Sequence, residues 1–296
     1  MATEQRCPEG FVRITRGDAT IWLREDLRGA LGALDFDALD ARIETHGDGA
    51  TGPSGRGQVQ ILELPGEPDR PAPMRVVLRR YLRGGLLSVF VHDRFLDGGR
   101  ALREIELFLE ARRRGLPTLD PLAAVTWSCA GGSYRHGLLT RLETGVQDLA
   151  AFLASRPEPA RRDRVLVGAA EVVREMHRVG LDHADLNLKN LLIRESDSGR
   201  PEVLVIDLDG GRFTDGPLPE APRLANLQRF VRSSVKFRIR NPECLDLRAG
   251  WRLARAYFGA DKAGRDAFRE RLRDWLDSSL RVRWTRFKTR LGKSPR

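Results

Sequence analysis

The sequence predicts an α+β chain of two lobes, an antiparallel sheet followed by a mainly helical half. Three observations lead there. Up to about residue 142 the apolar residues alternate in short runs separated by Gly- and Pro-containing turns. From Val146 onward they recur at helical spacing. Between these helices, two short apolar runs, Leu191-Leu-Ile193 and Val203-Leu-Val-Ile206, are flanked by carboxylates and amides where buried strands ordinarily have none. The boundary falls at a Glu143-Thr144-Gly145 tripeptide, giving lobes 1–144 and 145–296.

At 296 residues the chain suits one large two-lobed domain or two smaller ones. Its formal charge of +10 is partly concentrated at the C-terminus, where Ser278–Arg296 holds seven Lys or Arg and no acid. Such a balance favours polyanions as partners: nucleic acid, an anionic membrane surface or a phosphorylated ligand. An arginine-rich but otherwise ordinary soluble surface is the plainer alternative. Cys7, Cys129 and Cys244 are scattered and form no Cys-x-x-Cys pair, which argues against a disulfide framework or zinc site and suits a reducing compartment. No run approaches the ~18 apolar residues of a membrane span, and the N-terminus lacks a signal-peptide core. The expectation is a cytoplasmic chain able to lie against a membrane.

Phe11-Val-Arg-Ile and Thr20-Ile-Trp-Leu predict a hairpin about Gly17-Asp18, and Leu27, Ala30, Leu31, Leu34, Leu39 and Ile43 predict an amphipathic helix interrupted near Asp35. A glycine-rich loop follows, then two antiparallel strands, 59–64 and 74–78, joined through 65–73. Within the loop, Gly52-x-Ser54-x-x-Gly57-x-Val59 follows a phosphate-covering pattern, Gly55 lying inside it. An ordinary flexible loop is the competing interpretation. The second strand ends on Arg79, where a lysine would hold phosphates in a kinase fold; two solvated arginines on an edge strand are the alternative.

A helix over 100–114 buries Leu102, Ile105, Phe108 and Leu109. Glu104 and Glu106 are its candidates to meet Arg79, and Glu104, next to the buried stripe, is preferred. Strands through Val125 and over 137–142 lead to Glu143, whose backbone would bind an adenine edge if 143–145 is a hinge. Helices at 149–153 and along Val165–Met176 then deliver the chain, past a C-capping Gly180, to His183-Ala-Asp185-Leu-Asn-Leu-Lys-Asn190 and on to Asp207-Leu-Asp209-Gly.

The spacing H-x-D-x-x-x-x-N followed by D-x-x-G fits the catalytic and metal loops of protein-kinase-like folds. In that scheme Asp185 orients or deprotonates an acceptor hydroxyl, while Asn190 and Asp207 hold Mg²⁺ against ATP phosphates. A turn or N-cap aspartate is the bland interpretation of Asp185. His183 is a scaffold, His177 a plain helix residue, and Asp209 a metal supporter or a structural group. No Walker-type loop is present, and no Ala-Pro-Glu signature follows Gly211; instead Leu224–Lys236 forms a basic helix pattern. Helices near 246–259 and 264–276 carry Trp251, Leu253, Tyr257, Phe258, Phe268, Leu272 and Trp275 as structural residues. The tail 281–291 interleaves bases with apolar residues, as anionic bilayer surfaces favour, or as a salt-laced packed helix would.

Val77-Leu-Arg79-Arg-Tyr-Leu-Arg-Gly-Gly85, Gly115-Leu-Pro117, His183-Ala-Asp-Leu-Asn, Ile206-Asp-Leu-Asp209 and Asn226-Leu-Gln-Arg229…Arg232-Ser-Ser together resemble the lipopolysaccharide kinase family, which includes 3-deoxy-D-manno-octulosonic acid (Kdo) kinases and core heptose kinases. The similarity runs from about residue 52 to 236. It implies a protein-kinase-like fold and an ATP- and Mg²⁺-dependent enzyme phosphorylating a sugar hydroxyl of a Kdo-bearing lipid A precursor or related core oligosaccharide, peripheral on the cytoplasmic face of the inner membrane. Arginine at position 79 is usual in that family, whereas Leu208 replaces a common aromatic. A soluble aminoglycoside-type kinase and a lipid-binding pseudokinase are the alternatives. Nucleic acid ranks last, since no recognition module accompanies the charge.

Overall fold

The computed structural model describes residues 7–36, 38, 39, 59–66, 70, 72–82, 93–194 and 200–271. The glycine loop with Gly52, Gly55 and Gly57, the Arg83–Gly85 turn, the 195–199 turn, Leu272, Trp275 and the basic tail lie outside them.

Alternating residues build β1 (Phe11–Arg16) and β2 (Ala19–Arg24), a hairpin paired from Phe11↔Arg24 to Arg16↔Ala19. The expected amphipathic helix begins as a short α1 (Arg28–Gly32), with Ala30 and Leu31 buried. Then come β3 (Val59–Leu64), β4 (Met74–Arg80), α2 (Arg100–Arg113), β5 (Pro121–Cys129) and β6 (Ser133–Arg141). The six strands form one sheet in the order β1-β2-β5-β6-β4-β3, every neighbouring pair antiparallel. Val59 stands opposite Arg79 in the β3–β4 register.

The sheet buries both faces. One packs Ile21, Leu23, Val76, Leu78, Val125 and Leu139 against α1, Phe36 and Leu39. On this face β6 carries Gly137, where an added Cβ would lie 2.9 Å from Val125 Cγ1 and 3.0 Å from Leu78 Cδ1; only glycine fits. The other face joins α2 through Leu102, Ile105 and Phe108 to a core that continues into the helical half. Leu109 is only partly buried there.

The helical half begins with β7 (Val146–Asp148) and α3 (Leu149–Ala154), capped by the Asp148 carboxylate accepting from Ala151 N at 2.8 Å. Next, α4 (Pro159–Arg178) starts with proline in its first turn and the Glu158 side chain as cap. It stops at Gly180 (φ +86°), where a Cβ would collide with Gly216 O. The remaining strands are short: β8 (Leu181–Asp182), β9 (Leu191–Arg194), β10 (Glu202–Val205) and β11 (Arg212–Phe213). They pair as β10-β9-β7 and β11-β8. Two helices follow, α5 (Glu220–Arg240) and α6 (Leu247–Phe258), and residues 262–271 are also helical. Tyr257 is buried as expected, but Trp251 is 50% exposed and contributes little to the core. His177 is more than a plain helix residue: it is buried, and its Nδ1 lies 2.7 Å from the Tyr257 hydroxyl.

Candidate active site

Gly180 turns the chain out of α4, and the β8–β11 pair fixes the start of the loop 183–190. His183 is fully buried. Its Nδ1 accepts from Asp185 N at 3.2 Å, so Nε2 carries the proton and donates to Ile206 O at 3.0 Å. Burial pushes its pKa down and holds it neutral. The histidine therefore ties the loop to the strand that delivers Asp207, the scaffold role expected of it.

Two amides grip the Asp185 backbone. Asn190 Nδ2 donates to Asp185 O at 2.8 Å, and Asn187 Nδ2 reaches the same oxygen at 2.9 Å and Asp185 Oδ2 at 3.2 Å. Asn187 also caps the following helical turn by accepting from Lys189 N at 2.8 Å. With its backbone clamped, Asp185 presents an exposed carboxylate. Because the Asn190 nitrogen is committed, its side-chain oxygen is the end left for a ligand. Ile206 N donates to Asn190 O at 3.0 Å, which brings Asn190 and Asp207 onto adjacent strand ends. Asp207 adopts φ +61°, a left-handed conformation that costs a non-glycine residue energy and recurs at functional sites.

Arg79 joins the two halves. Its Nη2 donates to Glu104 Oε1 and Oε2 at 2.6 and 2.5 Å, and its Nη1 to Asp207 Oδ1 at 2.5 Å. Glu104 is fully buried, also accepts from the Tyr81 hydroxyl, and has its pKa pushed up to about 7 by burial against the opposing pull of Arg79. Glu106, the other candidate, faces solvent. Beside this pair, Arg100 Nε donates to Asp209 Oδ1 at 2.8 Å, and its Nη2 pairs with Asp209 Oδ2. Its guanidinium lies 4.4 Å from the centre of the Phe95 ring. Asp209 is thus a structural tether between α2 and the loop that follows β10.

Behind the loop 183–190 stands α5. Asn226, fully buried, donates to Asp182 Oδ1 at 3.2 Å; Arg229 donates to Asn226 Oδ1 at 3.0 Å and His183 O at 3.4 Å; Ser233 Oγ accepts from Leu188 N at 3.3 Å. Glu143, by contrast, spends its carboxylate on Arg194 of β9, so only the backbone of 143–145 is left for a ligand.

Asp185, Asn190, Asp207, Arg79 and Glu104 thus meet in one place, and Val59 lies across the β3–β4 ladder from Arg79. An exposed carboxylate beside an all-oxygen Asn–Asp set suits a hard cation that completes its shell with phosphate and water. Among the described residues no group of three His, Cys, Asp or Glu could hold a metal unaided. Sequence reasoning missed the Arg100–Asp209 tether and the clamping by Asn187. The sequence motif Asn226-Leu-Gln-Arg229 names these two residues but not their task. The available signal was Asn226, a polar residue on the apolar stripe Leu224, Leu227, Phe230.

The sequence model of the lipopolysaccharide kinase (Kdo/WaaP) family matches residues 69–257. A 3-deoxy-D-manno-octulosonic acid kinase of Stenotrophomonas maltophilia (strain K279a) is 34% identical over 228 residues, spanning 74% of this chain and 81% of that one. One from Vibrio parahaemolyticus is 29% identical over 221 residues, with 73% and 84% spanned. Among solved structures, WaaP in complex with acyl carrier protein shares the fold, with a TM-score of 0.53, 20% identity, and coverage of 86% of this chain and 98% of that one.

Proposed function

Since the chain belongs to the lipopolysaccharide kinase (Kdo/WaaP) family, we propose that it phosphorylates a sugar hydroxyl of the lipopolysaccharide inner core, Kdo on a lipid A precursor, at the expense of ATP. The observation that carries this reading is the exposed Asp185 carboxylate, its backbone clamped by Asn187 and Asn190 next to Asp207. Asp185 orients the acceptor hydroxyl and takes its proton as the oxygen attacks phosphorus. Asn190 and Asp207 hold Mg²⁺, which supplies charge neutralisation on the transferring phosphoryl group. Arg79, fixed by Glu104, faces the nucleotide phosphates. Gly52, Gly55, Gly57 and Val59 cover them, and the backbone at Glu143 meets the adenine edge. Residues 1–144 are the lobe that covers the nucleotide phosphates, and residues 145–296 the lobe that carries the catalytic and metal loops.

No helix among the described residues is long and apolar enough to cross a membrane. A peripheral position on the cytoplasmic face of the inner membrane follows from the acceptor class and the basic C-terminal sequence.

The test is ADP release from Mg-ATP with a Kdo-bearing lipid A precursor. Asp185→Asn should lower kcat by at least about a hundredfold, the scale of a lost general base. Equal turnover by wild type and variant would remove Asp185 from its role. A pseudokinase is the second reading, favoured by the Arg79–Asp207 contact, which occupies one oxygen of the metal-holding carboxylate. Metal-dependent ATP turnover excludes it.

A further inference from the structure

On α5 the residues 229, 233, 236 and 240 follow the i, i+4, i+7, i+11 spacing of a single helix row. Its beginning is fixed by contact: Arg229 and Ser233 bond the catalytic loop at His183 O and Leu188 N. The row then leaves the loop and continues through Lys236 and Arg240, with Arg232 on its flank, all three exposed. From Arg229 to Arg240 it spans ~16 Å.

Many arginines of this chain spend their charge on carboxylates, among them Arg24, Arg79, Arg100, Arg113, Arg178 and Arg194. Arg232, Lys236 and Arg240 do not: among the described residues none of them enters an ion pair, and α5 holds no acid after Glu220. Beside them Ile239 is 60% exposed, an apolar side chain set next to a cationic row. Unpaired cations brought together on one helix face are mutually repulsive, so the arrangement costs stability unless an anion meets it. Its origin at the loop carrying Asp185 says where that anion belongs.

We propose that Arg232, Lys236 and Arg240 form a docking strip for phosphate groups carried by the lipid-linked acceptor, with Ile239 against its apolar part. The strip holds the glycolipid so that its sugar reaches Asp185. This deepens the reading of Asp185 as the acceptor site and rests on it. The occupant is the acceptor's own phosphates rather than bulk anionic headgroups, because the row runs from the catalytic loop and is one helix face wide.

The experiment compares calorimetric binding of a phosphate-bearing Kdo–lipid A precursor and the same glycolipid after phosphatase treatment, both in neutral detergent at low salt. Wild type should prefer the phosphorylated form by about a hundredfold, from roughly fivefold per cation. Arg232→Gln/Lys236→Gln/Arg240→Gln should bring that ratio close to one, while Arg232→Lys/Arg240→Lys retains most of it. A triple variant that keeps the preference, or a wild type that has none, overturns the strip. So does an equal loss of binding to phosphatidylglycerol vesicles, which would make it a general membrane site. Binding is read without turnover: a chain that shows the preference but transfers no phosphate leaves the strip standing and sinks the kinase reading.

Discussion

Arg79 serves two carboxylates with one guanidinium, and its planar fork is what makes this possible: one nitrogen faces Glu104 and the other Asp207. A lysine is a single point charge and cannot span both. Arg79→Lys should therefore keep much of the stability yet lower kcat, whereas Arg79→Met leaves Glu104 buried without its cation. The cost of Arg79→Met should be on the order of 2 kcal/mol in denaturant unfolding, below that of a fully buried pair because Arg79 keeps 27% exposure. If Arg79→Met unfolds like wild type, Glu104 does not depend on the pair. The Arg79–Glu104 contact was legible because each residue occupies a defined place in a periodic pattern, one at a strand end and one beside a helix stripe. The Arg100–Asp209 tether was not, since 109 residues separate two groups that local pattern leaves unremarkable.

At the scale of elements, α5 braces the loop 183–190. Asn226 is the joint: buried, it gives a hydrogen bond to Asp182 and accepts one from Arg229. Asn226→Ala leaves a carboxylate and a guanidinium short of a partner, at a cost of about 1.5–3 kcal/mol. It should also lower kcat more than it raises the ATP KM, because the loop rather than the nucleotide site loses support; the reverse split would detach α5 from the loop. Periodicity alone revealed α2, α4 and α5, all long and amphipathic. The helix after Leu27 stops at Gly32, close to the interruption expected near Asp35, whereas Trp251, expected among the structural residues, leaves half of its surface to solvent. In β2 alternation understated burial: as an inner strand flanked by β1 and β5 it buries Ile21, Trp22 and Leu23 in succession. Which strands flank a strand is a long-range fact that no local run of residues contains.

Over the whole molecule, buried titratable groups set the response to acid. Burial pulls His136 down to about 4 and His177 to about 3, and lowers His183 as well. Below the ordinary histidine range near 6.5 the unfolded chain takes up these protons and the folded one resists, so stability falls as pH falls from about 6.5 towards 4. Glu104 works in the opposite sense, since its raised value stabilises the fold below about 4.5 and that contribution is lost as pH rises through about 7. Three histidines outweigh one glutamate, and calorimetric Tm should be lower at about pH 5 than at about pH 7.5; the reverse order would mean that Glu104 dominates. The passage from sheet to helices was legible as a change of hydrophobic period near residue 146, and the meeting of Asp185, Asn190 and Asp207 was legible because they lie within 22 positions of one another. The chemistry that these parts are proposed to perform is tested most directly by phosphorus NMR of the product formed from Mg-ATP and a Kdo-bearing lipid A precursor. A new phosphomonoester on the sugar, formed by wild type and not by Asp185→Asn, is the predicted result. An unmodified sugar, or the same phosphomonoester from both proteins, would contradict it.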